Sequence, residues 1–356
     1  MRQQEQIKTG QAKDPVRSAC SLALKELVWR YLIRLRPAKK PILIYASRRS
    51  GSSLLMEVIG TNRGVMFSDQ PFGMYTASSA NINRLPIFPY GQIAYPDAEE
   101  EEILAEYLND LLSGRVKANA PWKLWSRSTH FQNNRLCLKI TDAKCLIDWI
   151  DQRFDVHTIV LTRHPVPQAL SVAHVGWLCT GKGLLRNQTY VDTWLNQGLE
   201  HYCWDIYRTG TEIERRVLDW ALENLPLLSR LPNCSHWLYL GYEDLLTRSE
   251  SIIDALAREL DLPAKNRMLS RLDLPSRSTA RESASDRKQL IKQRDRQQLV
   301  GSWQAKVTEA DVRAAFDVLE HFGIDLYRPD SPLPDHQRIG RQPLDNRRDH
   351  ASKITE

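Results

Sequence analysis

The chain has 356 residues, of which 42% are hydrophobic and 26% are charged, and its 49 basic and 43 acidic side chains give a formal net charge of +6. This length and composition are ordinary for one folded α/β domain with insertions, and they argue against a fibrous or disordered protein. The small basic excess suits an anionic small ligand at least as well as nucleic acid, so we expect no nucleic-acid partner.

The cysteines and the apolar segments indicate the compartment. No CxxC pair occurs among the six cysteines, so we expect reduced thiols, a cytoplasmic protein and no metal site. No segment reads as a signal peptide or membrane span, because the best candidate, residues 18–35, carries four charges. Its apolar residues recur at helical spacing, which predicts an amphipathic helix that packs on the domain.

Short apolar runs alternate with helical stretches along the chain. We predict strands at residues 41–46, 136–140, 157–162 and 237–240, and helices at 54–59, 98–112, 143–154, 189–207, 212–228, 251–260 and 311–322. This alternation predicts an α/β fold, P-loop-like, with a mostly parallel open sheet and helices on both faces. We divide the chain into a basic N-terminal extension (1–40), a main domain (41–328) with an irregular aromatic insert (64–135), and a polar, disordered tail (329–356).

A polar loop follows the first predicted strand. Residues 47–53 read Ser-Arg-Arg-Ser-Gly-Ser-Ser and lead directly into a helix. A glycine-containing loop between a parallel strand and a helix directs backbone N–H groups and the positive helix end at an anion. The loop lacks both GxxxxGK[ST] and GxGxxG, so the sequence predicts a phosphate-like ligand without either common nucleotide motif.

A second anion-binding candidate ends the strand at residues 157–162. Arg163 comes directly after this strand, and Ser171 lies two helical turns further on. Ligands of open α/β sheets bind at the carboxyl ends of the strands, and an arginine grips a phosphate with two hydrogen bonds.

Four segments in this order resemble those of the sulfotransferases that use 3′-phosphoadenosine 5′-phosphosulfate, in particular the bacterial and carbohydrate types. They are the loop Arg49-Ser50-Gly51-Ser52-Ser53, the pair Arg163 and Ser171, the segment Tyr242-Glu243-Asp244-Leu245, and Gly301-Ser302-Trp303. The resemblance covers about residues 41–327. It implies transfer of a sulfuryl group to a hydroxyl or amine of a small-molecule or carbohydrate acceptor, with the phosphosulfate compound as co-substrate and no metal required.

The resemblance also implies roles for individual residues. The donor site would consist of Arg48, Arg49, Ser50, Gly51, Ser52, Ser53 and Leu54 around the 5′-phosphosulfate, with Arg163 and Ser171 on the 3′-phosphate. Arg49 and Lys139 would stabilise the charge that develops on the leaving oxygen. Glu243 and Asp244 would brace the sheet, and residues 277–281 would close over the nucleotide.

The sequence departs from the family at the catalytic base and at the adenine site. Leu54 stands where cytosolic members have a tryptophan, and Thr141, two residues after Lys139, stands where they have a histidine. Gln70 occupies the position of a glutamate in carbohydrate-type members. We therefore predict that Asp69, beside it, is the base, with His130 as the alternative.

Two other functions stay open at this stage. One is a P-loop kinase or nucleotide hydrolase with a degenerate loop, and the other is a sulfotransferase-like module that binds nucleotide without catalysis. The acceptor and the oligomeric state do not follow from the sequence.

Overall fold

The computed structural model describes residues 24, 27–72, 85, 92–118, 130–276, 285–340 and 344. A five-stranded sheet lies at its centre, with every neighbouring pair parallel. In chain order its strands are β2 (Ile42–Ala46), β3 (Val65–Asp69), β5 (Arg135–Ile140), β6 (His157–Thr162) and β7 (Leu238–Gly241). The spatial order is β3-β5-β2-β6-β7, and a small separate pair joins β1 (Arg34–Leu35) to β4 (Gln132–Asn133). The predicted α/β fold is confirmed.

Helices connect the strands. They are α1 (Ser52–Ile59), α2 (Ala98–Leu112), α3 (Ile147–Arg153), α4 (Pro165–Val175), α5 (Gly181–Leu184), α6 (Gln188–Trp194), α7 (Gln197–Thr209), α8 (Glu212–Arg230), α9 (Tyr242–Thr247), α10 (Ser249–Glu259), α11 (Lys265–Leu272), α12 (Ser285–Gln293), α13 (Arg296–Gly301) and α14 (Glu309–His321). The described residues also form shorter helical turns: a π-helix, Val28–Leu32, and the 3₁₀ helices Lys144–Leu146, Leu231–Asn233, Gln304–Lys306 and His336–Ile339.

Both faces of the sheet are covered, which explains why its strands are continuous apolar runs. On β2, Leu43 and Tyr45 belong to one hydrophobic cluster, whereas Ile42 and Ile44 belong to a second cluster on the opposite face. All four side chains are fully buried. This two-sided burial is typical of parallel sheets.

The order of the strands determines where a ligand binds. From β2 the chain runs to β3 on one side of the sheet, whereas from β6 it runs to β7 on the other side. The loops that follow β2 and β6 therefore flank the point where the strand order reverses, the usual ligand crevice of open α/β sheets.

Three predicted elements differ from those observed. The last residues of the helix predicted over residues 18–35 form the short strand β1 instead. Residues 65–69, assigned to the irregular insert, form the edge strand β3, because Asp69 and the four residues before it pair with β5. The helix predicted over residues 189–207 is two helices, α6 and α7. Leu195 between them is extended, and the Asn196 side chain caps α7 by accepting from the Leu199 N–H.

The segments before β2 and after α14 both contact the domain. Trp29 is buried and donates its indole N–H to the Ala118 carbonyl at 2.9 Å, whereas Leu27 and Tyr31 are exposed. Within the segment predicted as a tail, the His336 ring lies 2.8 Å from an Asp244 carboxylate oxygen and is buried. The domain boundaries stay predictions.

Candidate functional site

Two residues of the loop after β2 have a left-handed backbone conformation. Arg49 and Gly51 have φ angles of 67° and 88°. A side chain at Gly51 would clash with the Tyr242 ring, since an added Cβ would lie 2.7 Å from Cε2 and nearer still to Cδ2. Glycine is therefore required both by the backbone and by the neighbouring ring. From Gly51 the chain turns directly into α1, so the N–H groups of the first helical turn face the crevice.

The two predicted phosphate-binding elements lie in contact. The Arg163 guanidinium donates to the Arg49 carbonyl at 2.9 Å, and the Arg49 Nε donates to the Ser171 hydroxyl at 3.0 Å. Arg163 also lies over the Tyr242 ring, 5.2 Å from its centroid. The strand ends thus bring Arg49, Arg163 and Ser171 into one cationic cluster beside the loop.

The loop serines have different surroundings. Ser50 is fully buried, and among the described residues its hydroxyl has no hydrogen-bond partner. Ser52 is buried at the start of α1, and the Ser53 hydroxyl accepts from Lys139 at 3.3 Å. Leu54 packs into the hydrophobic cluster beneath the loop, where its side chain contributes to the core. An unpartnered buried hydroxyl is costly unless a ligand satisfies it.

Lys139 and Asp69 form an ion pair at the carboxyl edge of the sheet. They are register partners on β5 and β3, and Nζ lies 2.6 Å from Oδ1. Lys139 is 8% exposed on its side chain and Asp69 is 28% exposed. The next residue, Gln70, has a φ of 51° and donates its amide to the Thr141 hydroxyl at 2.8 Å. The three predicted catalytic residues, Asp69, Arg49 and Lys139, therefore all lie around the loop.

The segment after α4 is part of the site, although the sequence did not indicate it. The Arg48 guanidinium donates to the Leu178 carbonyl at 3.0 Å and to the Thr180 hydroxyl at 3.2 Å. Arg48 and Arg49 both lie over the half-buried Trp177 ring, 5.3 and 5.8 Å from its centroid. Trp177 was missed because its contacts depend on the packing of α4 against the loop.

A buried polar network holds that segment in place. Glu223 on α8 accepts from Lys144 at 2.9 Å and also binds the Thr180 hydroxyl. Burial alone would raise the pKa of Glu223, but the adjacent Lys144 and Arg48 charges lower it. One turn earlier, Asp219 accepts from two backbone N–H groups of residues 180 and 181, and burial raises its pKa to about 6.

The YEDL segment braces the sheet. Glu243 accepts from the His164 backbone N–H at 2.9 Å and from the Tyr327 hydroxyl at 3.1 Å, and burial raises its pKa to about 7. The buried His164 ring lies tilted against Trp303 with centroids 4.6 Å apart, and burial lowers the pKa of His164 to about 3. His164 also caps α4 by accepting from the Val166 N–H. These residues order the loop that carries Arg163.

His130 lies away from this cluster. Its carbonyl accepts from the Asn133 amide just before the amino end of β5, and the loop lies at the carboxyl end. Burial and the charges of Arg63 and Arg267 lower the pKa of His130. Residues 277–281, predicted to close over the nucleotide, lie outside the described residues.

The described part of the chain holds neither a cluster of candidate metal ligands nor a membrane-spanning helix. No group of three His, Cys, Asp or Glu side chains there is arranged to hold a metal ion. Within the same residues, no helix combines the length and the apolar character that a membrane crossing requires.

Comparison with known proteins gives structural similarities alone. No protein-family model matches the sequence, and no curated protein matches it closely. The sulfotransferase domain from the curacin biosynthetic pathway is 13% identical, with a TM-score of 0.45 over 82% of this chain and 100% of that one. The mouse sulfotransferase SULT7A1 complexed with PAP is 14% identical, with a TM-score of 0.37 over 82% of this chain and 86% of that one.

A retinol dehydratase complexed with retinol and PAP is 18% identical, with a TM-score of 0.34 over 85% of this chain and 86% of that one. Two of the three are named as sulfotransferases and two were solved with PAP. At TM-scores of 0.45 and below, these similarities carry no argument about what this chain does.

Proposed function

We propose that this protein transfers a sulfuryl group from 3′-phosphoadenosine 5′-phosphosulfate to a hydroxyl or amine of a small-molecule or carbohydrate acceptor. The observation that carries the proposal is the contact between the loop after β2 and the residues after β6. Arg163 binds the Arg49 carbonyl, and Arg49 binds Ser171. Two guanidinium groups and a hydroxyl thus lie beside the glycine-containing loop at one edge of the sheet. This combination is suited to a ligand with two separate phosphate groups.

The donor would lie along this edge. Backbone N–H groups of α1 and the Ser50, Ser52 and Ser53 hydroxyls suit the oxygens of the 5′-phosphosulfate. Arg163 and Ser171 suit the 3′-phosphate one strand away. The unpartnered Ser50 hydroxyl supports this assignment, because a bound oxyanion would satisfy a buried group that otherwise lowers stability.

Sulfuryl transfer depends more on stabilising the charge of the leaving group than on covalent catalysis. As the acceptor oxygen bonds to sulfur, the bond between sulfur and the 5′-phosphate oxygen breaks, and negative charge builds on that oxygen. Lys139 is suited to this charge, since Ser53 and Asp69 hold its ammonium beside the loop. Arg49 and the start of α1 add further positive potential.

A kinase would also place a nucleotide at such a loop. In P-loop enzymes, however, the lysine that cradles the phosphates follows the last loop glycine, and here Gly51 is followed by two serines. Lys139 comes instead from a neighbouring strand. This arrangement favours sulfuryl transfer over the kinase alternative.

Thermal unfolding with two nucleotides tests the proposal. Adenosine 3′,5′-bisphosphate at about a hundred times its dissociation constant stabilises a protein by ~2.7 kcal/mol. For a chain of 356 residues this corresponds to a rise in Tm of about 3–4 °C. Adenosine 5′-monophosphate at the same concentration should give a much smaller rise, because it lacks the 3′-phosphate. Equal shifts from both nucleotides would remove the basis of the proposal.

A further inference from the structure

A second carboxyl group lies at the carboxyl end of β5. Asp142 follows Lys139 by three residues, and its carbonyl accepts from the Ile93 N–H at 2.7 Å, which ties this turn to the segment before α2. The residue is partly exposed, yet its Oδ1 atom is buried. Among the described residues this oxygen has no hydrogen-bond partner. Oδ1 is therefore a buried acceptor near Lys139 and Asp69 that lacks a partner in the described part of the chain, although the carboxyl group receives a hydrogen bond from its own backbone N–H.

The charged groups that face Asp142 are bound to other partners. They are Lys139 from its own strand, Lys144 from the following turn, and Asp69 from β3. Lys139 binds Asp69 and Ser53, and Lys144 binds Glu223 at 2.9 Å and the Thr141 carbonyl at 2.7 Å. Burial, assisted by the charge of Asp69, raises the pKa of Asp142 to about 6, against the opposing effects of a hydrogen bond from its own backbone N–H and of both lysine charges.

Asp69 and Asp142 thus have different surroundings at one edge of the sheet. The Asp69 Oδ1 atom lies 2.6 Å from the Lys139 ammonium, so this carboxylate serves to hold a cation. Asp142 has an oxygen without such a partner, together with a pKa close to neutral. A carboxylate without an ion-pair partner can accept a proton, whereas one that holds a cation is committed to that contact.

We infer that Asp142 accepts the proton of the acceptor, and that Asp69 positions Lys139; this inference rests on the proposed sulfuryl transfer. As the acceptor oxygen bonds to sulfur, its O–H bond breaks and the proton passes to the Asp142 carboxylate. The sulfur–oxygen bond to the 5′-phosphate breaks at the same time, and its electron pair stays on the oxygen of the bisphosphate. Asp142 then releases the proton to solvent.

The test compares Asp142→Asn and Asp142→Ala with Asp69→Asn as the matched control. Donor consumption is measured with water, 4-methylphenol and 4-nitrophenol as acceptors, and the Asp carboxyls are titrated by carbon-13 NMR. We expect both Asp142 variants to lose roughly 10²–10⁴-fold in kcat with water and 4-methylphenol. The loss with 4-nitrophenol should be much smaller, because this phenol ionises readily without a base.

Two further readouts separate a base from a structural carboxylate. The kcat of the wild type should fall below pH about 6, where Asp142 is protonated, and this limb should vanish in Asp142→Asn but persist in Asp69→Asn. Added formate should restore part of the activity of Asp142→Ala. Burial raises the pKa of Asp219 to about 6 as well, so one of two carbon-13 titrations near 6 should disappear in Asp142→Asn, and both should persist in Asp69→Asn.

The outcomes distinguish this inference from the proposed function. Near-normal kcat in a folded Asp142→Asn, or loss of the acid limb in Asp69→Asn instead, would overturn the role of Asp142. In the wild type, failure to bind adenosine 3′,5′-bisphosphate would refute the donor site on which sulfuryl transfer itself depends.

Discussion

Replacing Gly51 by alanine tests how the loop is built. The added methyl group would stand 2.7 Å from Tyr242 Cε2, on a residue whose φ is 88°. Left-handed backbone costs a residue other than glycine roughly 1–2 kcal/mol, and overpacking costs roughly 1–3 kcal/mol. We therefore expect Gly51→Ala to lower the free energy of unfolding by about 2–5 kcal/mol. Urea denaturation followed by circular dichroism measures this change.

Gly323 offers a matched control. Its φ is 63°, and an alanine Cβ there would have no atom within 4 Å. Gly323→Ala should therefore show the backbone cost alone, about 1–2 kcal/mol. In a Tyr242→Ala background the cost of Gly51→Ala should fall to the same level, because the clash has been removed.

Gly51→Ala should also weaken nucleotide binding. Displacing the Tyr242 ring disturbs Arg163, whose guanidinium lies 5.2 Å from the ring centroid. A contact of this kind is worth about 0.5–2 kcal/mol, so the affinity for adenosine 3′,5′-bisphosphate should fall roughly 2–30-fold by calorimetry. If Gly51→Ala destabilises the protein no more than Gly323→Ala does, the steric argument is refuted.

Three further substitutions address charge and pH. Lys139→Met should lower kcat by roughly 10²–10³-fold in single-turnover assays while the affinity for the bisphosphate changes little, because the Lys139 ammonium acts on the leaving oxygen. A change confined to affinity would contradict that role. Arg49→Ala should likewise reduce kcat more than it raises the donor KM, and a pure KM effect would show that Arg49 only binds the donor. The pKa of Glu243 is raised to about 7 by burial, so its contribution to stability is present at low pH and declines as pH rises from about 4.5 to 7. Glu243→Gln should remove this decline. Its free energy of unfolding, measured by urea titration, should then rise relative to that of the wild type by up to about 1.4 kcal/mol per pH unit. Parallel pH curves for the two proteins would show that Glu243 does not titrate in this range.

The sequence predicted the central strands well because their burial gives them an unbroken apolar pattern. The strand predicted at residues 157–162 matches β6 at both ends, and β5 begins one residue before its predicted start. The edge strand β3 was missed because it lies at the start of a stretch rich in proline and aromatic residues. Its pairing with β5, which brings Asp69 beside Lys139, is a long-range property that no local pattern encodes.

The site was predictable to the extent that it depends on strand ends. Arg49, Arg163 and Ser171 were identified in the sequence, and the parallel sheet brings them together. Trp177 and Asp142 were not, because their placement depends on how α4 and the segment before α2 pack. The sequence nevertheless contains a pattern that could have indicated Asp142, because an acidic residue just beyond the carboxyl end of a strand lies at the ligand edge of an open sheet.

The most direct test of the donor site is calorimetry on the wild type and Arg163→Ala with adenosine 3′,5′-bisphosphate and adenosine 5′-monophosphate. A hydrogen bond to a charged group is worth about 1.5–3 kcal/mol, so the wild type should prefer the bisphosphate by at least roughly tenfold. Arg163→Ala should lose most of that preference and bind the monophosphate with nearly unchanged affinity. If the wild type binds both nucleotides equally, or Arg163→Ala keeps the full preference, the assignment of the 3′-phosphate site is contradicted.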